Sequence, residues 1–156
     1  MSMAPFYSYF RDRAFKEMRS ITVRDMPGLP NGEYGFLELY CADPACDCRR
    51  VLINVISPNQ PGAILATINY GWETVAFYTK WLGNADDAAA CQGVSLDPFN
   101  PQTIYSPILL HLFETVLQDA AYVQRLRAHY AQLKQAIQEQ RRAKRLSTGR
   151  KKRHKK

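Results

Sequence analysis

The sequence predicts an α+β fold: a three- to four-stranded antiparallel sheet, packed by an N-terminal helix and two C-terminal helices. Short β-branched and aromatic runs separated by Pro- and Gly-containing turns occupy residues 33–70. Apolar residues recur at helical spacing near the N-terminus and again after residue 102. Three of the four cysteines fall within eight residues, between the first two β runs, which indicates a metal-binding turn in the sheet.

The length and charge distribution predict one domain followed by a tail. A chain of 156 residues with 46% hydrophobic residues is large enough for a single core, which we assign to residues 1–140. Ten of the 21 basic residues lie in the last sixteen positions, and no acidic residue follows Glu139. Residues 1–140 therefore carry a net charge of −3, whereas residues 141–156 carry +10. Because the end of the tail lacks apolar residues, we expect the tail to be disordered.

The first 70 residues predict a helix and then three strands. In residues 6–19, aromatic and apolar residues recur at helical spacing, and residues 27–32 (PGLPNG) then form a loop. Residues 33–41 alternate like a strand, residues 51–56 suit a buried central strand, and residues 63–70 supply a third. We expect an antiparallel meander with the cysteine cluster at its first turn.

The second half of the sequence is predominantly helical. Residues 74–81 alternate tolerably like a strand, but Thr74 as N-cap and Gly83 as C-terminal stop favour a helix there. Residues 85–91 predict another helical segment. From residue 102 onward, Ile104, Ile108, Leu112 and Val116 predict an apolar stripe, with Pro107 near the first turn. A last helix is predicted over residues 120–145. Its apolar stripe fades after Ile137, so its end should project into solvent.

The cysteine cluster predicts a zinc site. Thiolates are good ligands for zinc, and Cys41, Cys46 and Cys48 are close enough in sequence to share one ion. Cys91, the only other cysteine, is the predicted fourth ligand. His129, on the last helix, is the alternative; His111 is a weaker candidate that suits a core position better.

The number of protein ligands decides what such a zinc ion can do. Four ligands would make the site structural, whereas three ligands and a water would permit metal-assisted hydrolysis. Asp43 or Asp47 would then be the general base, although Asp43 precedes Pro44 and is better explained as a turn former. No Cys-x-x-Cys motif opens a helix, which argues against thioredoxin-type chemistry. A structural site is the prediction.

The basic tail predicts contact with phosphate. A cluster of positive charge binds nucleic-acid backbones electrostatically and without sequence preference. An acidic protein partner is the alternative, and a membrane surface is disfavoured because the tail has no apolar face. The predicted nucleic-acid-binding residues are Arg141, Arg142, Lys144, Arg145, Arg150, Lys151, Lys152, Arg153, Lys155 and Lys156.

The N-terminus and the apolar runs predict a cytoplasmic location. No run of about 18 apolar residues occurs, and the first ten residues lack the basic and apolar regions of a signal peptide. Thiols stay reduced in the cytosol, so four cysteines there favour metal binding over disulfides.

Three segments resemble a family. The block from Tyr40 to Val51 (YCADPACDCRRV), the segment from Leu96 to Gln102 and Arg127-Ala128-His129-Tyr130 resemble a group of bacterial proteins, many of which end in a SEC-C metal-binding motif. The resemblance covers roughly residues 30–135. It implies a bacterial zinc-binding accessory protein, and a His-Tyr pair in this group keeps His129 as a candidate ligand. No cysteine follows Cys91, so the SEC-C site itself is not implied.

Together these observations predict a non-catalytic, zinc-stabilised binding module whose tail contacts nucleic acid or a ribonucleoprotein. A zinc-dependent hydrolase with an open metal site is the alternative. No complete catalytic motif is present elsewhere in the chain.

Overall fold

A computed structural model describes residues 2–153 and shows an α+β fold built on one antiparallel sheet. The fold class is confirmed, but the sheet has six strands where three or four were predicted. The strands are β1 (Met3–Pro5), β2 (Ser20–Val23), β3 (Gly32–Cys41), β4 (Arg50–Ile56), β5 (Ala66–Gly71) and β6 (Gly93–Leu96). The helices are α1 (Arg11–Glu17), α2 (Val75–Leu82), α3 (Ala85–Cys91), α4 (Ser106–Val116) and α5 (Ala120–Arg153), with a short 3₁₀ turn at Phe6–Ser8.

The predicted meander forms the centre of the sheet. Strand β3 pairs with β4 and β4 with β5, all antiparallel, and β6 closes the far edge. On the other side of β3, two short strands share one edge: β2 pairs with its start and β1 with its end. The β1 pairing aligns Met3 with Cys41, so β1 lies beside the cysteine cluster.

The core lies between the sheet and the two C-terminal helices. On β3, Tyr34, Phe36, Glu38 and Tyr40 alternate onto one face and are all buried. The ring of Phe36 packs edge-on against Phe113 of α4, and the Tyr40 hydroxyl donates to a backbone carbonyl of α5. The buried stripe of α5 ends at Ile137, as predicted.

Helix α4 differs from its prediction. It begins at Ser106, after a non-helical stretch that includes Ile104, whose side chain is 85% exposed. The buried apolar residues are Leu109, Phe113 and Val116. Val116 was predicted, whereas Leu109 and Phe113 each lie one position after the predicted Ile108 and Leu112. The sequence carries apolar residues on both sides of this helix, so spacing alone did not identify the buried side. Pro107 lies in the first turn, as predicted.

Helices α2 and α3 have the predicted limits. The Thr74 side chain caps α2 by accepting from the backbone N–H of Phe77, and Gly83 ends it in the left-handed conformation at φ 74°. Asn84 caps α3 by accepting from the N–H of Asp86. None of the helices within residues 2–153 is long and apolar enough to cross a membrane.

Helix α5 continues past its predicted end and takes in most of the predicted disordered tail. It runs unbroken to Arg153, although Ser147-Thr148-Gly149 was expected to stop it near residue 145. The Ser147 and Thr148 hydroxyls donate to carbonyls one turn back, which is compatible with a helix interior. Extension of a helix already anchored by packing requires no new nucleation, and the Gln, Arg, Lys and Ala residues that lead into this segment favour helix.

Candidate metal centre

Three cysteines converge at the first turn of the meander. The Sγ atoms of Cys41, Cys46 and Cys48 all lie within 4.8 Å of one another. Cys41 ends β3 and is fully buried, Cys48 is 1% exposed, and Cys46 is half-buried. Because zinc–sulfur bonds of about 2.3 Å place tetrahedral thiolates about 3.8 Å apart, the three sulfurs need to move by at most about 1 Å to share an ion. The group can hold a metal ion.

Local hydrogen bonds shape the turn that carries these thiols. The Asp43 carboxylate accepts from the backbone N–H of Ala45 at 2.9 Å, and the Asp43 carbonyl accepts from that of Cys46 at 3.2 Å. At the start of the turn, the N–H of Ala42 donates to the carbonyl of Ser2. Asp43 therefore acts as the turn former that the sequence predicted.

The backbone beside Cys48 is held from two helices. Arg49 has a φ of 45°, a left-handed conformation that is unfavourable for a residue with a side chain. The Tyr78 hydroxyl of α2 donates to the Arg49 carbonyl at 2.8 Å. The Tyr130 hydroxyl of α5 accepts from the Arg49 N–H at 3.3 Å and donates to Asp47 Oδ1 at 3.0 Å. These bonds fix the residues on both sides of Cys48 and so set the direction of its thiol.

The Arg49 side chain forms an ion pair with Asp47. Its guanidinium donates to both Asp47 oxygens at 2.9–3.2 Å, reaches Glu73 at 3.1 Å and lies over the Phe77 ring. Hydrogen bonds from Arg49 outweigh partial burial and, with the Tyr130 hydroxyl, lower the pKa of the Asp47 carboxyl. Asp47 is thus a carboxylate engaged in an ion pair, and its proton affinity is too low for an efficient general base.

The thiols of Cys46 and Cys48 resist ionisation in the absence of a cation. Burial, together with the neighbouring Cys48 and Cys41, raises the pKa of Cys46 to about 12. Burial and Cys41 also raise the pKa of Cys48, although the positive charges of Arg50 and Lys134 act in the opposite direction. A metal ion would replace the thiol protons and remove this mutual repulsion.

Helix α5 is bonded directly to the cysteine turn. The Lys134 ammonium donates to the Asp43 carbonyl at 2.7 Å and lies over the ring of Tyr130, one helical turn away. Tyr130 itself bridges Asp47 and Arg49, as described above. The helix that ends in the basic segment therefore contacts both ends of the turn.

The predicted fourth ligand, Cys91, lies outside the group of three thiols. It ends α3, where its Sγ accepts from Arg50 Nη1 at 3.6 Å and its carbonyl lies 3.5 Å from Asn69 Nδ2. The structure thus brings together three of the four predicted ligands and leaves Cys91 in a separate small cluster with Tyr78 and Ala88.

Both ring nitrogens of the alternative ligand, His129, face carboxylates at hydrogen-bond distance. Its Nδ1 lies 2.8 Å from Glu38 Oε1, and its Nε2 lies 2.7 Å from Glu17 Oε2. The side chain is 2% exposed, and its ring stacks on Phe6 at a centroid distance of 4.1 Å. Burial opposes protonation, but the hydrogen bonds and charges of Glu38 and Glu17 prevail and raise the pKa of His129. His111, expected in the core, is 79% exposed and pairs with Glu114.

The predicted nucleic-acid-binding residues lie mainly on the projecting end of α5. Lys155 and Lys156 lie outside the described residues, as does the side chain of Lys152. The other predicted contacts are exposed: Arg141, Arg142, Lys144, Arg145, Arg150, Lys151 and Arg153. We call residues 138–153, which follow the last buried position of α5, the basic arm.

Comparison with known proteins gives no relative. No protein-family model, curated protein or solved structure matches this chain.

Reasoning from the sequence missed the residues that support the cysteine turn. Arg49, Tyr78, Tyr130 and Lys134 carry no spacing signal, because their contacts join segments 29–91 residues apart. The one available indication was the His129-Tyr130 pair, which kept His129 as a candidate ligand; the member of the pair that contacts the turn is Tyr130.

Proposed function

We propose that the protein is a non-catalytic binding module in which zinc on Cys41, Cys46 and Cys48 stabilises the fold and the basic arm contacts nucleic acid or a ribonucleoprotein. The observation that carries the metal half is the convergence of three buried or half-buried thiols within 4.8 Å. Thiolate donors favour zinc among the divalent ions that prefer tetrahedral sites. The SEC-C-type resemblance and a bacterial, cytoplasmic origin remain predictions beside this proposal.

A metal at this position would act mainly on stability. The turn joins β3 to β4, and Tyr130 and Lys134 of α5 contact it. Metal binding to a site absent from the unfolded chain contributes its free energy to folding. Zinc would therefore secure the attachment of α5, the helix from which the basic arm projects.

The form of the basic arm favours phosphate backbones over base edges. Eight basic residues lie between Arg141 and Arg153 with no acidic residue among them. At 3.6 residues per turn, these sequence positions are spread all round the helix axis, and the segment is about 20 Å long. A helix that is positive on every side attracts a polyanion without presenting one reading face, which suits binding independent of sequence.

Two observations weigh against the hydrolase alternative. Asp47 is held by Arg49 and Tyr130, and an oxygen of Asp43 caps the turn, so neither carboxylate is placed as a general base. In addition, three thiolates on a divalent ion leave a net charge of −1, which weakens its power to acidify water.

Metal content and stability test the first half of the proposal. Elemental analysis of freshly purified reduced protein should give one zinc per chain. Cys46→Ser should lose this zinc, whereas Cys91→Ser, the matched control outside the group, should retain it. Chelation should lower the melting temperature of the wild type and leave that of Cys46→Ser unchanged. Absence of metal in the reduced wild type would refute the zinc proposal.

The salt dependence of binding tests the second half. A variant with Arg141, Arg142, Lys144 and Arg145 changed to Gln keeps good helix formers but removes four charges. Its affinity for a mixed-sequence RNA or DNA duplex should fall, and its log–log salt slope on B-DNA should decrease by about 0.9 for each phosphate that the arm no longer neutralises. The matched control is Lys16→Gln with Lys80→Gln, two charges away from the arm. Unchanged affinity in the arm variant would refute nucleic-acid binding by this segment.

A further inference from the structure

The side chains that could complete the metal centre are bonded elsewhere. Within residues 2–153, the candidates are Cys91, His129, His111, Asp43 and Asp47, and none belongs to the group of three thiols. His111 is 79% exposed and pairs with Glu114. Cys91 Sγ accepts from Arg50, and both nitrogens of His129 face glutamates. An oxygen of Asp43 caps the turn, and both oxygens of Asp47 accept from Arg49.

Recruiting His129, Cys91 or Asp47 would break a built interaction. If His129 turned to the metal, Glu38, which is 6% exposed, would keep only the Tyr40 hydroxyl as a partner. Isolation of a buried carboxylate in this way is strongly unfavourable. Cys91 could approach only if the end of α3 moved, yet its carbonyl closely abuts Gly71 of β5. Asp47 would lose the bonds to Arg49 and Tyr130 that hold the residues beside Cys48.

The centre lies at a surface through which an outside ligand can reach it. Cys46 is half-buried, and three of its near neighbours in the turn, Asp43, Ala45 and Asp47, are exposed. Lys134 bonds to the Asp43 carbonyl, so a positive charge stands at the same rim. This ammonium would attract an anion that approaches the rim.

We propose that the fourth ligand of the metal comes from outside the chain and is a thiolate. This proposal depends on the proposed metal site. Three sulfur donors make a soft centre that prefers a fourth soft donor, and the four-thiolate arrangement is a common closed zinc site. The Lys134 ammonium, which donates to the Asp43 carbonyl of the same turn, offsets the added negative charge.

The binding step is a ligand exchange without redox change. The incoming S–H bond breaks and its proton passes to solvent. A sulfur–metal bond forms as the metal releases a solvent molecule, and the metal remains divalent. Two sources share this chemistry: a small thiol, and a cysteine side chain of another polypeptide.

Cobalt substitution of the full-length protein tests the proposal. Co²⁺ bound to thiolates absorbs visibly, and its spectrum reports coordination number and sulfur donors. Titration of the one-to-one cobalt protein with β-mercaptoethanol should saturate at one equivalent and intensify the sulfur-to-cobalt charge-transfer band, whereas ethylene glycol should have no effect. The Cys91→Ser variant should behave like the wild type. The test uses Cys91→Ser rather than a His129 variant, because His129 variants can disturb folding.

The outcomes separate this inference from the proposed function. If cobalt does not bind, the metal site itself is wrong. If cobalt binds, but added thiol leaves the spectrum unchanged or Cys91→Ser weakens the charge-transfer band before thiol is added, the outside-ligand inference is overturned while the metal site stands. A cysteine-containing peptide, with its Cys→Ser match as control, identifies the source. Tighter binding than β-mercaptoethanol indicates a polypeptide ligand, and equal binding indicates a small thiol.

Discussion

Replacement of His129 by Leu tests whether the buried imidazole is held as a cation between two carboxylates. The change removes both hydrogen bonds of the ring. Glu38, which is 6% exposed, then keeps the Tyr40 hydroxyl as its one hydrogen-bond partner among the described residues. Removal of one partner from a buried ion pair costs about 3–5 kcal/mol, because the remaining charge stays uncompensated. We therefore expect the free energy of unfolding to fall by about 3–5 kcal/mol.

The same pair predicts a pH dependence with a definite sign. The pKa of His129 is raised above its ordinary value of 6.5, so its contribution is complete below pH 6.5 and declines as the pH rises through the raised pKa. The pKa of Glu17 is lowered from 4.5 by its hydrogen bond to His129, so its contribution is complete above pH 4.5 and declines as the pH falls through the lowered pKa. The stability difference between wild type and His129→Leu should therefore be largest between pH 4.5 and 6.5.

Urea unfolding at several pH values measures this difference. With a denaturant slope of about 2 kcal/mol/M, the midpoint of His129→Leu should fall by about 2 M at pH 5.5. Glu17→Gln is the matched control: this carboxylate is 38% exposed, so its loss should cost at most about 1 kcal/mol. Glu38→Leu combined with His129→Leu should recover much of the loss, because the Tyr40 hydroxyl retains the Leu126 carbonyl at 3.1 Å. A loss below about 1 kcal/mol in the single variant, or one independent of pH, would refute a buried charged pair.

Two further substitutions, Tyr130→Phe and Gly71→Ala, test the surroundings of the cysteine turn, and Gly149→Ala is the control for the second. Tyr130→Phe keeps the ring but removes the hydroxyl that joins Asp47 and Arg49. Zinc affinity, measured by competition with a chromophoric chelator, should therefore fall about tenfold. An unchanged affinity would show that this bridge does not orient Cys48. Gly71→Ala would place a methyl group against the Cys91 carbonyl and the Tyr78 hydroxyl and should destabilise the fold by about 1–3 kcal/mol in thermal unfolding. Gly149→Ala, where a methyl group meets open space, should instead leave the core unfolding unchanged and raise arm helicity in circular dichroism; equal effects at both glycines would contradict the close approach at Gly71.

The accuracy of the sequence predictions followed the range of the interactions concerned. Helix α2 and the cysteine turn are shaped by local bonds, such as the Thr74 cap and the Asp43 turn. The central strands pair with one another across only 11–21 residues. Strands β1, β2 and β6 were missed because each has three or four residues and is defined by its pairing partner. Strands so short have little pattern of their own.

The candidate metal ligands likewise divide into those set by local sequence and those set by long-range packing. Proximity in the chain was sufficient to group Cys41, Cys46 and Cys48, because eight residues in a turn hold their thiols together. Composition suggested Cys91, and a place on the last helix suggested His129, but the positions of both depend on how α3 and α5 pack. That packing places Cys91 against Arg50 and His129 between Glu17 and Glu38.

The sequence by itself determined the α+β class, the meander, the thiol cluster and the separation of an acidic body from a basic end. Tertiary structure alone decided that Tyr130 and Lys134 attach α5 to the turn, that a buried histidine serves the core, and that the basic end continues as a helix. The physical reason is that periodicity and spacing record what each residue prefers locally. Partners brought together from distant segments depend on the packing of the whole chain.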